Sequence, residues 1–192
     1  TATANTLTLR ASEVIPNGLG KGNVIFNGNT GGGSILMNMN GFSETMNGLS
    51  TTADNPAGCI ISNNAATLST LTVGDNDQSG SYAGVIQNGT GSIALVKIGA
   101  GIQTLGGSNN YTGGTTVNAG ALSVTGSLAS TGTVNITASA SAAGRLSGTG
   151  PVGNVVMAAN NGSNRAQIAP GPLGLGDVGT LSLTSLAAAG GV

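Results

Sequence analysis

The feature that most constrains this chain is a short alternation used again and again: three to six residues in which apolar and hydroxyl-bearing side chains take turns, then a brief bend rich in Gly and Asn. Thr6-Leu7-Thr8-Leu9, Val24-Ile25-Phe26, Ser34-Ile35-Leu36-Met37, Ser69-Thr70-Leu71-Thr72-Val73, Thr115-Thr116-Val117, Leu122-Ser123-Val124, Val134-Asn135-Ile136 and Thr180-Leu181-Ser182-Leu183 all follow it. A period of two sends successive side chains to opposite faces of a strand, so these runs predict short strands with one buried face. Asn-Gly pairs at Asn17-Gly18, Asn27-Gly28, Asn40-Gly41, Asn47-Gly48, Asn88-Gly89 and Asn161-Gly162 offer the positive φ that tight bends require. The Ala-rich stretch from Ser139 to Ala143 is too short to propagate a helix. The fold class is therefore all-β.

Two all-β architectures compete. Asn-Gly between strands favours antiparallel hairpins and a β-sandwich. The strands, however, are so brief that each has little apolar face to set against a second sheet. Coiled into a parallel solenoid they stack on copies of themselves, with Asn and Thr in register from rung to rung. Internal similarity points the same way: Thr6 to Ser12 aligns with Ala121 to Ser127, 115 residues on, and Gly22-Asn23-Val24-Ile25-Phe26 echoes Gly132-Thr133-Val134-Asn135-Ile136. With rungs of roughly 20 residues stacked at about 4.8 Å, the chain would make about nine or ten rungs in a rod on the order of 45 Å long. Residues 1–192 then form a single β-solenoid segment in which Val, Ile and Leu, Val117 and Leu122 among them, face inward. Thr, Ser and Asn face outward or form ladders.

Composition agrees with thin layers closed by backbone hydrogen bonds, since 35 of 192 residues are Gly, 2% are aromatic and 6% are charged. Acid–base chemistry has few candidates without His. The five basic residues, Arg10, Lys21, Lys97, Arg145 and Arg165, are scattered and the net charge is -1, which gives no footprint for nucleic acid. No run approaches the ~18 apolar residues of a membrane helix, so no membrane insertion by this segment is expected. The opening TATANTLTLR lacks the basic and apolar regions of a secretory signal. Cys59, the single cysteine, reads as a small buried hydrophobe within GCIIS.

One stretch carries a resemblance. Leu95-Val96-Lys97-Ile98-Gly99-Ala100-Gly101, then Leu105-Gly106-Gly107-Ser108-Asn109-Asn110-Tyr111-Thr112-Gly113-Gly114-Thr115-Thr116, then Asn118-Ala119-Gly120-Ala121-Leu122 resembles the autotransporter-associated β-strand repeat, or passenger-associated transport repeat, over about 95–122. Ser12 to Gly18, Asn40 to Leu49, Ile168 to Gly171 and Gly179 to Leu181 look like segments that accompany this repeat in very large bacterial surface proteins. The resemblance implies a right-handed parallel β-helix passenger, exported and displayed outside the cell. Neither a signal nor a translocating β-barrel is read in these residues, and the ends are expected to fall within a repeat, so that the residues form a piece of a longer array or a subunit that stacks on neighbours.

Candidate sites are few. Asp75-Asn76-Asp77-Gln78-Ser79-Gly80 has the first half of a calcium loop, but the position that should supply a bidentate carboxylate is Ile86, so a polar turn without metal is expected. Parallel β-helices also host polysaccharide lyases and glycosidases, whose chemistry needs paired carboxylates or a base beside a cation. The six acids are Glu13, Glu44, Asp54, Asp75, Asp77 and Asp177, and only Asp75 and Asp77 are neighbours. No catalytic, cofactor-binding or metal residue is assigned, and no cofactor is expected. Lys97 is expected on an exposed strand face, where it discourages sideways pairing, and Tyr111 over a turn with its hydroxyl in solvent. The four Asn-X-Ser/Thr sequons at Asn88, Asn110, Asn135 and Asn161 are expected by chance in so Asn- and Thr-rich a chain.

The leading expectation is a non-enzymatic extracellular structural solenoid, a rod or filament segment whose partner is itself, stacked head to tail. An adhesin-type module is the alternative, binding surface glycan or matrix through the loops Gly74 to Tyr82 or Ala159 to Arg165. A carbohydrate-active enzyme comes third.

Overall fold

The computed structural model describes residues 5–27, 33–52, 55–128, 132–139, 141–158, 164–171 and 179–188. In chain order its strands are β1 (Asn5–Thr8), β2 (Val24–Phe26), β3 (Ile35–Asn38), β4 (Glu44–Met46), β5 (Leu49–Thr51), β6 (Cys59–Ser62) and β7 (Ser69–Val73). Then come β8 (Gly80–Tyr82), β9 (Val85–Ile86), β10 (Ile93–Lys97), β11 (Ile102–Leu105), β12 (Ser108–Asn109), β13 (Thr115–Val117) and β14 (Gly120–Val124). The last are β15 (Ser127–Leu128), β16 (Thr133–Ile136), β17 (Gly144–Gly148), β18 (Val152–Met157), β19 (Gln167–Pro170) and β20 (Leu183–Ala188). Three of the expected strands, at Val24–Phe26, Ser69–Val73 and Thr115–Val117, have the bounds read from sequence, whereas Thr180-Leu181-Ser182 precedes β20. Helical structure among the described residues is confined to two short 3₁₀ turns, Pro56–Gly58 and Asp75–Asp77.

The strands pair in parallel, each with the corresponding strand one turn of chain away, which makes the fold a parallel β-solenoid and not a hairpin sandwich. Leu95 on β10 lies opposite Leu71 on β7 and Thr115 on β13. The longest sheet stacks seven strands in the order β4-β7-β10-β13-β16-β18-β20. A second face is built from β1-β3-β6-β9, with β12-β15 beyond it, and a third from β2-β5 followed by β8-β11-β14-β17-β19. Successive turns visit the three faces in the same sequence: β9, β10, β11, then β12, β13, β14.

Turn length is uneven, and this corrects two expectations. Thr115 meets Val134 after 19 residues, but Val152 meets Leu183 only after 31. Turns longer than the assumed ~20 residues leave fewer rungs, seven in the longest sheet instead of nine or ten. The similarity at 115 residues also joins different faces, because Thr6 sits on β1 in the second face and Leu122 on β14 in the third. Strands on every face share the same alternation, so a match of alternation does not fix which face a strand occupies.

The interior is a set of stacked columns. Leu71, Leu95, Thr115, Val134 and Val155 follow one another through the seven-stranded sheet, as do Val73, Lys97, Val117 and Ile136. All of these are buried, and each fully buried Val, Leu or Ile contributes about 1.5–3 kcal/mol. Thr45, Thr72, Val96, Thr116 and Asn135 form the outward column between them. Cys59 is buried and unpaired on β6, as expected, and burial pushes its thiol pKa up.

Candidate functional site

From Ile93 to Val117 every buried residue falls at an odd-numbered position. Ile93, Leu95, Lys97, Gln103, Leu105, Asn109, Tyr111, Thr115 and Val117 are all buried, and the odd positions among them that are not buried are Gly99, Gly101, Gly107 and Gly113. A corner ordinarily resets the alternation of a strand. Here the odd positions that are not buried are all glycines, close against the backbone of the preceding turn, and a period of two persists around a whole turn.

This register corrects the expected placement of Lys97. Its side chain is fully buried in the column between Val73 and Val117. The ammonium Nζ donates to the carbonyls of Ile98, Gly99 at 2.8 Å and Ala119 at 3.3 Å, the last belonging to the next turn. Desolvation pushes its pKa down to about 8, against a smaller upward pull from the Asp77 carboxylate. Tyr111 is corrected in the same sense. It is 3% exposed, and its hydroxyl lies 2.7 Å from Thr115 Oγ1 instead of in solvent. Burial pushes the Tyr111 pKa up, opposed by that hydrogen bond.

Two residues of the same turn close gaps in the sheets. β5 and β8 belong to different sheets although they lie in adjacent turns, and β9 and β12 are likewise unpaired. At the first gap the Gln103 amide accepts from Leu49 N–H at 3.1 Å and donates to Leu49 C=O at 2.8 Å. Ser50 Oγ and Thr51 Oγ1 complete the closure by accepting from the N–H groups of Ser81 and Ala83. At the second gap Asn109 Oδ1 accepts from Ile86 N–H at 2.9 Å, while its Nδ2 donates to Gly107 and Ser127 carbonyls. Neither amide is singled out by sequence reasoning. The available signal is parity, since both share it with Leu105.

The carboxylates are engaged in similar ways. Glu44 is buried at the head of the seven-stranded sheet and accepts from the N–H groups of Val14 at 3.0 Å and Ile15 at 2.7 Å, where the first turn has no strand. Glu13 accepts from Asn17 Nδ2 and the Thr45 hydroxyl. Asp75-Asn76-Asp77 forms the expected polar turn, entered through Gly74 at φ 95°, and Asp77 Oδ1 accepts from Ala100 N–H at 2.6 Å. Among the described residues no group of three or more His, Cys, Asp or Glu is placed to hold a metal. Asp54, Asp177 and residues 159–163 of the second proposed binding loop lie outside the described residues.

The arrangement therefore ties turns together. No helix among the described residues is long and apolar enough to cross a membrane. No curated protein and no solved structure matches the chain. The family model of the passenger-associated-transport-repeat matches residues 95–124. The matched segment is the one that supplies Lys97, Gln103, Asn109 and Tyr111 to the interior, and its similarity is to that repeat.

Proposed function

We propose that this chain is a non-enzymatic structural segment of an autotransporter passenger, displayed outside a bacterial cell, whose stacked turns make a stiff rod. The observation that carries the proposal is the fate of the polar groups in the turn from Ile93 to Val117. The Lys97 ammonium, the Gln103 and Asn109 amides and the Tyr111 hydroxyl are all buried and hydrogen-bonded within the solenoid wall. A reactive site keeps such groups facing a cleft with a partner still to be met. A scaffold satisfies every one of them internally. The repeat at 95–124 supports the extracellular or bacterial-surface setting, because that is the setting its family implies.

Self-stacking is the second part of the proposal. Among the described residues β20 stands at the margin of its sheet with β18 as neighbour, and a strand edge of this kind accepts a further strand, from the same chain or from a second copy. Electron microscopy of the purified chain tests both parts. Rods of uniform width are expected, and lengths in multiples of one copy report self-stacking. Particles of equal extent in all directions would overturn the rod, and turnover of any polysaccharide by the purified chain would overturn the non-enzymatic assignment.

A further inference from the structure

Arg145 and Arg165 stand on successive turns of the third face. Arg145 is on β17 opposite Gln167 of β19, and Arg165 lies two residues before Gln167. The three side chains line one concavity of about 300 Å³ on the outside of the solenoid, whose floor includes Gly144 and Ala121. Arg145 Nε is shut off from solvent and has no hydrogen-bond partner. A buried donor left without an acceptor is destabilising, so the unliganded arrangement leaves this group unsatisfied. No ion pair joins either arginine to a carboxylate among the described residues. Two of the five basic residues in a chain of net charge -1 thus face the same open space, with no carboxylate of the described residues paired to either.

From this we infer that the concavity is an oxyanion site, taking a carboxylate or sulfate group on the forks of Arg145 and Arg165 with Gln167 as a further donor. A guanidinium offers Nε–H and Nη–H side by side, matched to two oxygens of a carboxylate or sulfate, which a lysine cannot reproduce. An oxyanion entering the concavity draws that edge of Arg145 outward and gives Nε its missing acceptor. The glycine on the floor has a reason of its own: a Cβ on Gly144 would collide with the Val117 carbonyl of the previous turn. An adjoining hollow shares Ala100, Gly120 and Ala143 with the first and ends at Asp77. Its negative charge confines an anion to the arginine end. The concavity is open and lies along the rod, so the oxyanion can be carried by a polysaccharide as well as be free in solution.

The test uses the whole chain at low ionic strength, where exposed charges are least screened. Dextran sulfate and polygalacturonate are the polymeric probes, neutral dextran the control and sodium sulfate the free ion. Binding to at least one anionic probe is expected, with no binding to neutral dextran. Arg145→Gln with Arg165→Gln is expected to weaken it at least tenfold, Arg145→Lys to weaken it severalfold although charge is retained, and Lys21→Gln to leave it unchanged. Circular dichroism checks that each variant folds. On the unsubstituted chain, a titrated shift of the Arg145 Nε–H resonance with sodium sulfate marks a site for the free ion, whereas a shift with polymer alone marks one that reads a polysaccharide. Absence of binding and of any shift with all three anions, or equal binding by the double variant, overturns the site.

Discussion

Gln103 on β11 and Leu49 on β5, 54 residues apart, are joined by two hydrogen bonds from one side-chain amide, at 3.1 and 2.8 Å. The amide does for Leu49 what a neighbouring strand would do, presenting one acceptor and one donor. It reaches past β8, which lies between, because the residue in its path is Gly80. A Cβ there would stand 2.6 Å from Leu49 N and 2.8 Å from Gln103 Oε1. Gly80 and Gln103 are thus a matched pair: the absent side chain of one turn makes room for the long side chain of the next.

Gln103→Ala is expected to destabilise the chain by about 1–3 kcal/mol for each Leu49 group left buried without a partner. Gly80→Ala is expected to approach the same loss by displacing the amide. Amide exchange at Leu49 reads the effect locally, and the denaturation midpoint reads it globally. Unchanged exchange at Leu49 in Gln103→Ala would show that the gap between β5 and β8 closes by other means.

The buried ammonium of Lys97 makes stability depend on pH in a defined direction. Desolvation holds its folded pKa at about 8, below the ordinary 10.5. Between these values the unfolded chain binds more protons at this site than the folded chain, so its contribution to stability rises with pH across that window and is constant below it. Lys97→Met removes this dependence. Cys59, Tyr82 and Tyr111 titrate in both proteins, so the difference between them isolates Lys97. Relative to Lys97→Met, the unsubstituted chain should gain stability from about pH 8 to 10.5 in paired urea titrations; a flat difference contradicts the assignment.

Inward and outward columns should respond oppositely to one charge. Val117 is fully buried, and Thr116 beside it belongs to the outward column. Val117→Asp places an unpaired carboxylate inside and should lose several kcal/mol. Thr116→Asp, at a partly exposed position, should change stability by about 0.5 kcal/mol or less. Equal losses in thermal denaturation would mean that the two faces of β13 are misassigned.

How much of this was legible in the sequence depends on which property is asked for. Alternation locates β7 and β13 to the residue, because a strand's period is a local property, and the brevity of the strands points to the parallel solenoid. Alternation does not place β1 and β14 on their faces, since face depends on turn length, which ranges from 19 to 31 residues. Lys97 and Tyr111 show a different limit. Their parity with Leu95 and Leu105 already pointed inward, but a polar side chain at an inward position reads as outward unless its partners are known. Those partners include Ala119 O and Thr115 Oγ1, which only the stacking of turns and the close of the corner bring near. The gap at β5 and β8 left no trace in the sequence of either strand, and so Gln103 could not be recognised as its closure.

The corner glycines supply the last prediction. Gly84, Gly107, Gly126 and Gly150 lie on successive turns, and a Cβ on any of the last three would fall within van der Waals contact of the carbonyl of the glycine one turn before. That carbonyl is backbone, fixed by the ladders on either side, so it cannot rotate away as the end of a side chain could. Gly126 also donates its N–H to Leu105 O at 3.0 Å, which holds the two turns at this separation. Gly126→Ala must therefore push adjacent rungs apart, and is expected to be destabilising by about 1–3 kcal/mol or somewhat more. For a chain of this size each kcal/mol lowers Tm by about 2–4 °C. Gly22 is the matched control, with nothing within 4 Å of its Cβ position and no positive φ. Gly22→Ala should leave Tm unchanged or raise it slightly, because it removes freedom only from the unfolded chain. Similar Tm values for the two variants would mean that the corner column is not what fixes the spacing of the turns.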